Sequence, residues 1–405
     1  MFGFSKKINT NPELVRKVLN RGVEDVFIRE NLEKKLLSGK PLRVKLGFDP
    51  TSPRIHIGRA IILRKLREFQ NLGHTAVFIV GDFTARIGDP SDKLEKRPML
   101  TEKDIKKNLE TYKTQVGKII DLRKAEFHFN STWLSKLTFT AVAELAESFS
   151  LQQMSSRRNF KDRIDRGEEI SLREFLYPLM QGYDSVAVKA DVEIGGFDQL
   201  FNLKAGRTIQ RRYGQPEQDV LTSAMLEGTD GRKMSSSWGN VINILDEPTE
   251  LFGKVMSVRD ELITKYFLLC TDVSETEIRG IGEKMESGAL NPRDAKAHLA
   301  EEIVKIYHGE KAAGLARQSF TNVFSNAGFP TDAQQVFVAH GAELSDAVIA
   351  SGAVASKSEY TRLVAEGAVY DFKTGQKVAD RKACVSGTME LRIGKHRFLK
   401  ITVRS

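Results

Sequence analysis

Two stretches of the chain carry residue types that could bind phosphate, and the first lies at residues 45–59. There an apolar strand turns over Asp49 and runs into an amphipathic helix. A helix start offers free backbone N–H groups and the positive end of a macrodipole, so it can bind a phosphate. His56 adds an imidazole donor, Gly58 leaves room for close approach, and Arg59 adds a permanent positive charge. This stretch predicts a nucleoside triphosphate site, whereas the alternative is a histidine that only caps the helix.

The second stretch, at residues 231–240, contains Lys233 and, two positions later, three serines in a row. Lys233 places a compact charge on a flexible stem and the serines supply hydroxyl donors, so the loop could close over phosphates that leave as pyrophosphate. A flexible surface loop is the alternative. Two phosphate-type elements so far apart in one chain favour the functional interpretation of both.

Polar side chains also recur along one face of a predicted helix at residues 171–184. Tyr177, Gln181 and Asp184 are spaced by four and three residues, which places a hydroxyl, an amide and a carboxylate on one face amid apolar neighbours. Such a stripe suits a small polar ligand, although simple exposure to solvent is the alternative.

Two further polar loops come directly after predicted strands. Thr84 and Asp89 lie in residues 81–91, and a later loop has two glycines followed by Phe197, Asp198 and Gln199. Open α/β sheets bind ligands at the carboxyl ends of their strands, and glycines let the backbone approach a ligand. We therefore expect hydrogen bonds from the later loop to a ribose or an amino group. Asp89 could equally be an ordinary turn residue before proline.

The elements that must hold these residues follow an α/β pattern. A strand at 42–48, a helix from 56 to 73 and a strand at 74–80 predict a βαβ unit. Further strands are predicted at 191–194 and 219–226. The chain therefore predicts a parallel sheet whose carboxyl edge collects the polar loops.

The segments around this pattern are mostly charged helices. Residues 12–40 are predicted to form two of them, and residues 101–160 an insertion whose apolar faces could pair two subunits or form a solvated layer. Residues 157–167 are very basic and are predicted to be mobile, either solvated or in contact with an RNA acceptor end. The predicted elements of the insertion are a helix at 101–121, a strand at 125–130 and a helix at 138–149.

Beyond residue 240 the composition turns helical and then basic. We predict helices at 248–270, 274–286 and 292–324, turn residues from 327 suited to a linker, and a compact end with short helices and strands. Basic residues concentrated at this end support phosphate contacts, and a solvated surface is the alternative. The predicted elements of the end are helices at 345–351 and 358–366 and strands at 368–372 and 397–403.

Bulk properties restrict the class of protein. The 405 residues suffice for two or three domains, and no apolar run approaches the length of a membrane span or a signal peptide core, so we expect a cytosolic protein. The net charge of +9 favours an anionic partner such as nucleic acid. Cys270 and Cys384 lie far apart without a CxxC partner, which indicates neither a disulfide framework nor a zinc site.

Taken together and in order, these stretches resemble the class I aminoacyl-tRNA synthetases, and specifically the tyrosyl-tRNA synthetases of the second bacterial branch. His56-Ile-Gly-Arg59 resembles the family's His-x-Gly-His signature, and Lys233-Met-Ser-Ser-Ser237 resembles its Lys-Met-Ser-Lys-Ser loop. The loop at 81–91, the Tyr177 to Asp184 stripe and residues 195–199 resemble its amino-acid and ribose contacts. The resemblance covers nearly the whole chain.

This resemblance implies a Rossmann-like sheet on which ATP and tyrosine bind side by side. The tyrosine carboxylate attacks the α-phosphate, pyrophosphate leaves, and the tyrosyl group passes to the 3′ end of tRNA(Tyr), with AMP released. Positioning and charge stabilisation would supply most of the catalysis. The resemblance also implies Mg²⁺ bound with ATP but no metal site in the protein itself, a homodimer, and a cytoplasmic role in translation.

The resemblance assigns roles to individual residues. Those implied to meet the polyphosphate are His56, Arg59, Lys233, Thr51, Lys93 and Arg97. Those implied to bind the rest of ATP are Gly58, Ser235, Ser236, Gly196, Asp198, Met225 and Leu226. The implied tyrosine contacts are Asp49, Thr84, Asp89, Tyr177, Gln181, Asp184, Gln199 and Lys45, with Asp184 accepting from the phenol. The implied RNA contacts are Lys357, Arg362, Arg392, Lys395 and Arg397.

By the same resemblance the chain divides into four parts. The domains implied are a catalytic domain at 1–240 with its insertion at about 101–160, an α-helical domain at 241–328, a linker at 329–342 and an α+β RNA-binding module at 343–405.

Three residues depart from the family pattern. Arg59 replaces the second signature histidine, Ser236 replaces the second loop lysine, and Lys45 stands where many members have a phenol-binding tyrosine. The first two motivate an alternative hypothesis, an RNA-binding protein on a degenerate synthetase scaffold. Specificity for tryptophan, as in the sister enzyme, is the other alternative.

Overall fold

The computed structural model describes residues 8–91, 99–234, 238–325, 329–330, 333–394 and 397–404. The chain divides into two compact units. The first comprises Met1–Leu245 with Lys265–Cys270, and the second comprises Asp246–Thr264 with Thr271–Ser405. No helix in the described ranges is long and apolar enough to cross a membrane.

The described part of the first unit is built on a six-stranded sheet. Its strands are β1 (Val23–Phe27), β2 (Arg43–Phe48), β3 (Thr75–Val80), β4 (Glu126–Phe129), β5 (Val192–Gly196) and β6 (Asp219–Ser223). The order is β1-β6-β5-β2-β3-β4, and all neighbours are parallel except β1 with β6. The side chains of residues 76–80 in β3 are all buried, as expected for a parallel strand covered on both faces. The predicted Rossmann-like α/β class is confirmed.

Helices flank this sheet. They are α1 (Pro12–Asn20), α2 (Arg29–Leu37), α3 (Ile57–Asn71), α4 (Thr84–Ile87), α5 (Glu102–Leu109), α6 (Tyr112–Gly117), α7 (Ser131–Leu134), α8 (Phe139–Ala146), α9 (Leu151–Ser155), α10 (Arg158–Asp165), α11 (Leu172–Val188) and α12 (Leu200–Arg212). Two of them position the site. The α3 helix starts where β2 ends and buries Ile61, Leu63, Leu66 and Phe69, so its N-terminus is fixed at the sheet edge.

The α11 helix begins with a capping box between Ser171 and Glu174. It packs closely on α12 because Gly182 has no side chain: a methyl group there would lie 2.6 Å from Ile209. The polar stripe of α11 is thereby held at a fixed height above the sheet.

Two sequence expectations for the first unit were wrong in detail. Residues 12–40 contain strand β1 between two helices, because this short charged segment pairs as an edge strand with β6, a contact distant in sequence. The predicted helix at 101–121 is broken into α5 and α6, where the buried Tyr112 hydrogen-bonds to Arg59. The strand predicted at 125–130 is β4, and it pairs in parallel with β3 of the main sheet.

The basic segment at 157–167 is also different from the expectation of a mobile segment. It forms α10, and the side chain of Arg163 is only 1% exposed because it pairs with Glu174 at 2.6 Å. Arg157 is buried as well, with its guanidinium 4.4 Å from the centre of the Phe201 ring. Buried partners, invisible in the local sequence, hold this segment in place.

The second unit begins with helices and ends in a small sheet. Its helices are α13 (Pro248–Met256), α14 (Ile263–Cys270, whose last six residues group with the first unit), α15 (Glu275–Glu286), α16 (Pro292–His308), α17 (Glu310–Ser325), α18 (Leu344–Ala350) and α19 (Lys357–Ala365). Gly309, with φ of 90°, separates α16 from α17, so the single helix predicted at 292–324 is two.

The small sheet contains β7 (Gln334–Ala339), β8 (Val369–Asp371), β9 (Met389–Ile393) and β10 (Arg397–Arg404) in the order β7-β10-β9-β8. Leu391, Ile393, Leu399 and Ile401 are fully buried in its core. Strand β7 falls inside the predicted linker at 329–342, so the linker interpretation is wrong for those six residues. They pair in parallel with β10, a partner 65 residues further along the chain that local turn signals do not reveal. The other domain boundaries remain predictions.

Candidate active site

A cavity of about 370 Å³ lies in the first unit where strands β2, β3, β5 and β6 end. This is the edge where parallel α/β sheets bind ligands. Sixteen residues predicted from sequence line it: Asp49, Thr51, His56, Gly58, Arg59, Thr84, Asp89, Tyr177, Gln181, Asp184, Gly196, Asp198, Gln199, Met225, Leu226 and Lys233.

One described residue from the predicted set is not in the lining. The side chain of Lys45 is fully buried, and its ammonium lies 2.9 Å from Glu193 and 2.8 Å from the Ser185 hydroxyl. The prediction that Lys45 contacts tyrosine directly is therefore wrong, because its three N–H groups are directed into the protein. The other predicted site residues, Lys93, Arg97, Ser235 and Ser236, lie outside the described residues.

The buried carboxylate of Asp184 marks one end of the cavity. Its Oδ1 accepts a hydrogen bond from Trp133 Nε1 at 2.7 Å, and its Oδ2 accepts one from Asn130 Nδ2 at 3.2 Å. Burial raises the pKa of Asp184 to about 7, against the opposing effects of Lys45 and these two hydrogen bonds. Asp184 can still accept a further hydrogen bond, because each carboxylate oxygen carries two lone pairs.

Sequence reasoning missed Asn130 and Trp133. Both follow β4, and Asn130 also donates to the Thr84 hydroxyl at 3.0 Å. A signal was present, since Asn130 is the last residue of a predicted strand and so lies at its carboxyl end. It was missed because β4 was assigned to an insertion and not to the main sheet.

Carboxylates and hydroxyls line the middle of the cavity. Asp49 accepts hydrogen bonds from the Thr84 hydroxyl at 2.7 Å and the Tyr177 phenol at 2.9 Å. Burial raises the pKa of Asp49 to about 6, and the nearby charge of Asp89 adds to the rise. Asp89 in turn accepts a hydrogen bond from Gln199 Nε2 at 2.9 Å. Two neighbouring carboxylates in a buried place form a good site for a ligand ammonium group.

Gly81 makes this arrangement possible. A methyl group at Gly81 would lie 2.0 Å from Asp49 Oδ1 and 2.4 Å from the Thr84 hydroxyl. The glycine is therefore required for the contact between β2 and the loop after β3.

The other end of the cavity is basic. His56 lies at the N-terminus of α3 without capping it, and within the described chain its buried Nδ1 has no hydrogen-bond partner. Burial, with the charges of Arg59 and Lys233, lowers the pKa of His56 to about 3. His56 is therefore neutral at pH 7 and can donate through one ring nitrogen. The ammonium of Lys233 lies 3.2 Å from the carboxylate of Asp198, which could accept hydrogen bonds from ribose hydroxyls.

Arg59 is held in position by four groups, one of which is the backbone carbonyl of Asp49 at 3.2 Å. Its guanidinium donates to the Thr51 hydroxyl at 2.9 Å and to the Tyr112 phenol at 3.0 Å, and it lies over the Phe48 ring at 5.6 Å. Tyr112 is a supporting residue that sequence reasoning missed. Because Arg59 keeps a fixed charge beside the α3 N-terminus, this end is suited to a polyphosphate.

The arrangement can hold a zwitterionic amino acid beside a nucleotide. A hydroxyl on the side chain of the amino acid would contact Asp184, and the ammonium group of the amino acid would contact Asp49 and Asp89. The phosphates of the nucleotide would contact His56, Arg59 and Lys233. Such a cavity suits a reaction in which the ligand's own carboxylate is the nucleophile.

Comparison with known proteins agrees with this chemistry. The family model of class I tRNA synthetases (W and Y) matches residues 37–325. A tyrosine–tRNA ligase of Thermotoga maritima is 46% identical over 394 residues, which cover 96% of this chain and 98% of the relative.

The chain belongs to the tyrosine–tRNA ligases of the class I synthetase family. The synthetase is also 45% identical to a tyrosine–tRNA ligase of Carboxydothermus hydrogenoformans, over 95% of this chain and 97% of that relative. Among solved structures it is similar in fold to a C-terminally truncated mitochondrial tyrosyl-tRNA synthetase of Aspergillus nidulans, with a TM-score of 0.64 and 22% identity over 80% of this chain and 95% of that one.

The basic residues predicted to bind RNA lie in the C-terminal part of the synthetase, and four of them are described. Lys357 pairs with Asp346 at 2.8 Å, and Arg397 pairs with Glu359 at 2.9 Å. Arg362 lies 3.9 Å from Glu366, and Arg392 lies over the rings of Tyr370 and Phe398. Lys395 lies outside the described residues. Ion pairing partly neutralises this surface, a feature that counting charges in the sequence did not reveal.

Proposed function

We propose that this chain activates tyrosine with ATP and transfers it to tRNA(Tyr). One observation carries the proposal: Asp184, with its two donors Asn130 and Trp133, lines the same cavity as His56 and Lys233. A phenol acceptor and a polyphosphate site in one cavity are what tyrosyl-adenylate formation requires.

In the first step a carboxylate oxygen of tyrosine attacks the α-phosphorus of ATP. The bond from that phosphorus to its bridging oxygen breaks, and pyrophosphate leaves with the electron pair. His56, Arg59 and Lys233 stabilise the charge on the phosphates, and no protein group has to move a proton in this step. In the second step a ribose hydroxyl of the tRNA 3′ end attacks the acyl carbon, AMP leaves, and the hydroxyl proton is released.

The remaining contacts are proposed from the family resemblance, and for the described residues the cavity lining supports them. Thr51, with Lys93 and Arg97, would meet the terminal phosphates, and Ser235 and Ser236 would meet the leaving pyrophosphate. Gly58 and Gly196 leave room for the nucleotide, Asp198 would accept from the ribose, and Met225 and Leu226 would flank adenine. The groups proposed for the tyrosine ammonium are Asp49, Asp89, Tyr177, Gln181 and Gln199, with Thr84 orienting Asp49.

Mg²⁺ would arrive bound to ATP. In the described parts of the chain no group of three or more His, Cys, Asp or Glu side chains is placed to hold a metal ion. When bound to the phosphates, the ion neutralises part of their charge.

We also infer a homodimer and a cytoplasmic site of action. Three large apolar side chains of the first unit are strongly exposed: Phe139 is 92% exposed, Leu172 80% and Leu151 71%. Apolar groups of this size support burial against a second copy of the chain. Charging of tRNA for translation supports the cytoplasmic location.

The test is ATP–pyrophosphate exchange with several amino acids, followed by charging of tRNA(Tyr). We expect exchange that depends on tyrosine and falls by about a hundredfold or more in Lys233→Ala, since a group that stabilises transition-state charge is lost. Exchange with tryptophan in place of tyrosine would contradict the proposal, and so would RNA binding by a protein that forms no adenylate.

A further inference from the structure

A buried polar cluster lies beneath α11, outside the cavity lining. It contains Lys45 on β2, Glu193 on β5, Ser185 on α11 and Gln218 just before β6, and each is at most 1% exposed. None of them was explained by the chemistry of the site. Four buried polar side chains from separate elements form a costly arrangement unless all their groups are paired.

The ammonium of Lys45 is fully paired. It lies 2.9 Å from Glu193 Oε1 and donates to the Ser185 hydroxyl and to the backbone carbonyl of Gln181, each at 2.8 Å. Glu193 accepts in turn from Gln181 Nε2 at 3.0 Å and from the Ser185 hydroxyl at 3.1 Å. The pair therefore joins two strands of the sheet to one turn of α11.

This turn is the one that carries Asp184. Gln181 and Ser185 lie on either side of it in the chain, and both are bonded to the pair. Asp184 itself accepts hydrogen bonds from Asn130 and Trp133, which follow β4. The height of α11 above the sheet thus sets where the Asp184 carboxylate meets a ligand.

The space for the cluster is provided by α12. A methyl group at Gly206 would lie 2.3 Å from Gln218 Nε2, 2.8 Å from the Ser185 hydroxyl and 3.1 Å from Glu193 Oε2. The α12 backbone therefore packs directly against these three polar groups, and a side chain at position 206 would displace them.

We propose that the Lys45–Glu193 pair is a positioning device that fixes the turn of α11 around Asp184 and thereby sets the selection of tyrosine over phenylalanine. Lys45 is a positioning residue that acts through Gln181 and Ser185, and it does not touch the substrate. The inference rests on the proposed function, since it needs a phenol at Asp184.

The test uses the full-length double variant Lys45→Met/Glu193→Gln, which removes both charges and leaves neither one buried alone. We expect the ratio of kcat/KM for tyrosine to that for phenylalanine, in pyrophosphate exchange, to fall by about tenfold or more, because small displacements of a contact group cost this much. The KM for tyrosine should rise, while the KM for ATP should not change, because the cluster lies at the Asp184 end.

A second, milder variant tests the same role in case the double variant does not fold. Ser185→Ala removes one hydroxyl of the cluster and no charge, and it should lower the same ratio by a smaller factor. The matched control is Lys65→Met: Lys65 is a buried lysine that donates to the carbonyls of Val18 and Arg21, each at 2.9 Å, and pairs with Glu68. This control should lower the melting temperature and leave the ratio unchanged.

The outcomes separate the two proposals. Wild-type protein without tyrosine-dependent exchange would contradict the proposed function and this inference with it. The positioning role alone would be overturned if wild-type protein selects tyrosine and the folded double variant, or Ser185→Ala, has the same tyrosine-to-phenylalanine ratio of kcat/KM as wild type. An equal fall of the ratio in Lys65→Met would also overturn it, since any loss of stability would then have the same effect.

Discussion

The pKa of Asp184 is raised to about 7, although this residue is proposed to accept a hydrogen bond from a phenol as a carboxylate. Burial favours the neutral acid, and the hydrogen bonds from Trp133 and Asn130 favour the carboxylate. The groups facing it are Lys45 on β2, Glu193 on β5, Tyr177 on its own helix, and the two donors after β4. Recognition of the phenol is therefore sensitive to pH near neutrality.

At this residue scale we predict that selectivity for tyrosine falls as the pH is lowered from 8 to 6. The fraction of Asp184 in the carboxylate form decreases through pH 7, and a charged acceptor makes the stronger hydrogen bond. The measurement is the ratio of the KM for phenylalanine to that for tyrosine in pyrophosphate exchange. The ratio cancels the titration of Asp49, whose pKa is about 6 and which would face the ammonium group of both substrates. A ratio that stays constant from pH 6 to 8 would contradict this prediction.

The free energy of unfolding of the ligand-free protein should change with pH in the opposite direction to the selectivity: it should decrease as the pH rises. A carboxyl whose folded pKa is raised contributes its stability below the unfolded pKa, and this contribution is lost as the pH rises through the folded value. As the pH rises from about 4 to 7, Asp184 and Asp49 therefore lower the free energy of unfolding, and bound tyrosine offsets this loss.

At the scale of elements, the site depends on how loops after the strands fit together. Glycine is needed where β3 ends, because Asp49 from the loop after β2 and Thr84 from α4 meet beside Gly81. Both carboxylate oxygens of Asp49 accept hydrogen bonds, one from Thr84 and one from Tyr177. A small displacement of Asp49 should therefore change its contact with the ligand directly.

We predict that Gly81→Ala raises the KM for tyrosine by about tenfold or more, because the methyl group displaces the Asp49 carboxylate. Overpacking of this kind should also lower the free energy of unfolding by about 1–3 kcal/mol. The measurements are pyrophosphate exchange and denaturant unfolding. The matched control is Gly280→Ala in α15, where nothing lies within 4 Å and the substitution should leave the KM unchanged. A normal KM in Gly81→Ala would contradict the role given to this loop contact.

At the scale of the whole molecule, adenylate formation and recognition of tRNA should be separable. The described residues that line the cavity all belong to the first unit, whereas the basic residues predicted to bind RNA lie in the second. A defect in one activity can therefore leave the other intact.

We predict that Lys357→Ala/Arg362→Ala raises the KM for tRNA(Tyr) in aminoacylation and leaves pyrophosphate exchange unchanged. If both side chains contact phosphates, the slope of log affinity against log salt concentration should decrease by about one for each. Glu366→Ala is a control of opposite sign: it removes the acidic neighbour of Arg362 and should strengthen binding. Unchanged charging by the double variant over a range of salt concentrations would exclude these two residues from the RNA surface.

Local features of the sequence were sufficient for the α/β fold class and for some of the sixteen lining residues, whereas others, such as Thr51, Met225 and Leu226, were assigned only through the family resemblance. A strand followed by a turn and an amphipathic helix is encoded in neighbouring residues, as in β2 and α3. The residue types at the start of α3, such as His56 and Arg59, also indicate directly which chemical groups they can bind. Parallel strands then bring their carboxyl ends to one edge, so loops distant in sequence could be placed together.

The tertiary structure decided which polar groups support the site and which only resemble ligands. Lys45 is turned away from the cavity and bound to Glu193, while Asn130, Trp133 and Tyr112 hold Asp184 and Arg59 in place. Strands β1 and β7 likewise form only by pairing with distant segments. In each case the cause is physical: burial and hydrogen bonding between residues far apart in the chain determine where a side chain points, and local residue types carry no record of those partners.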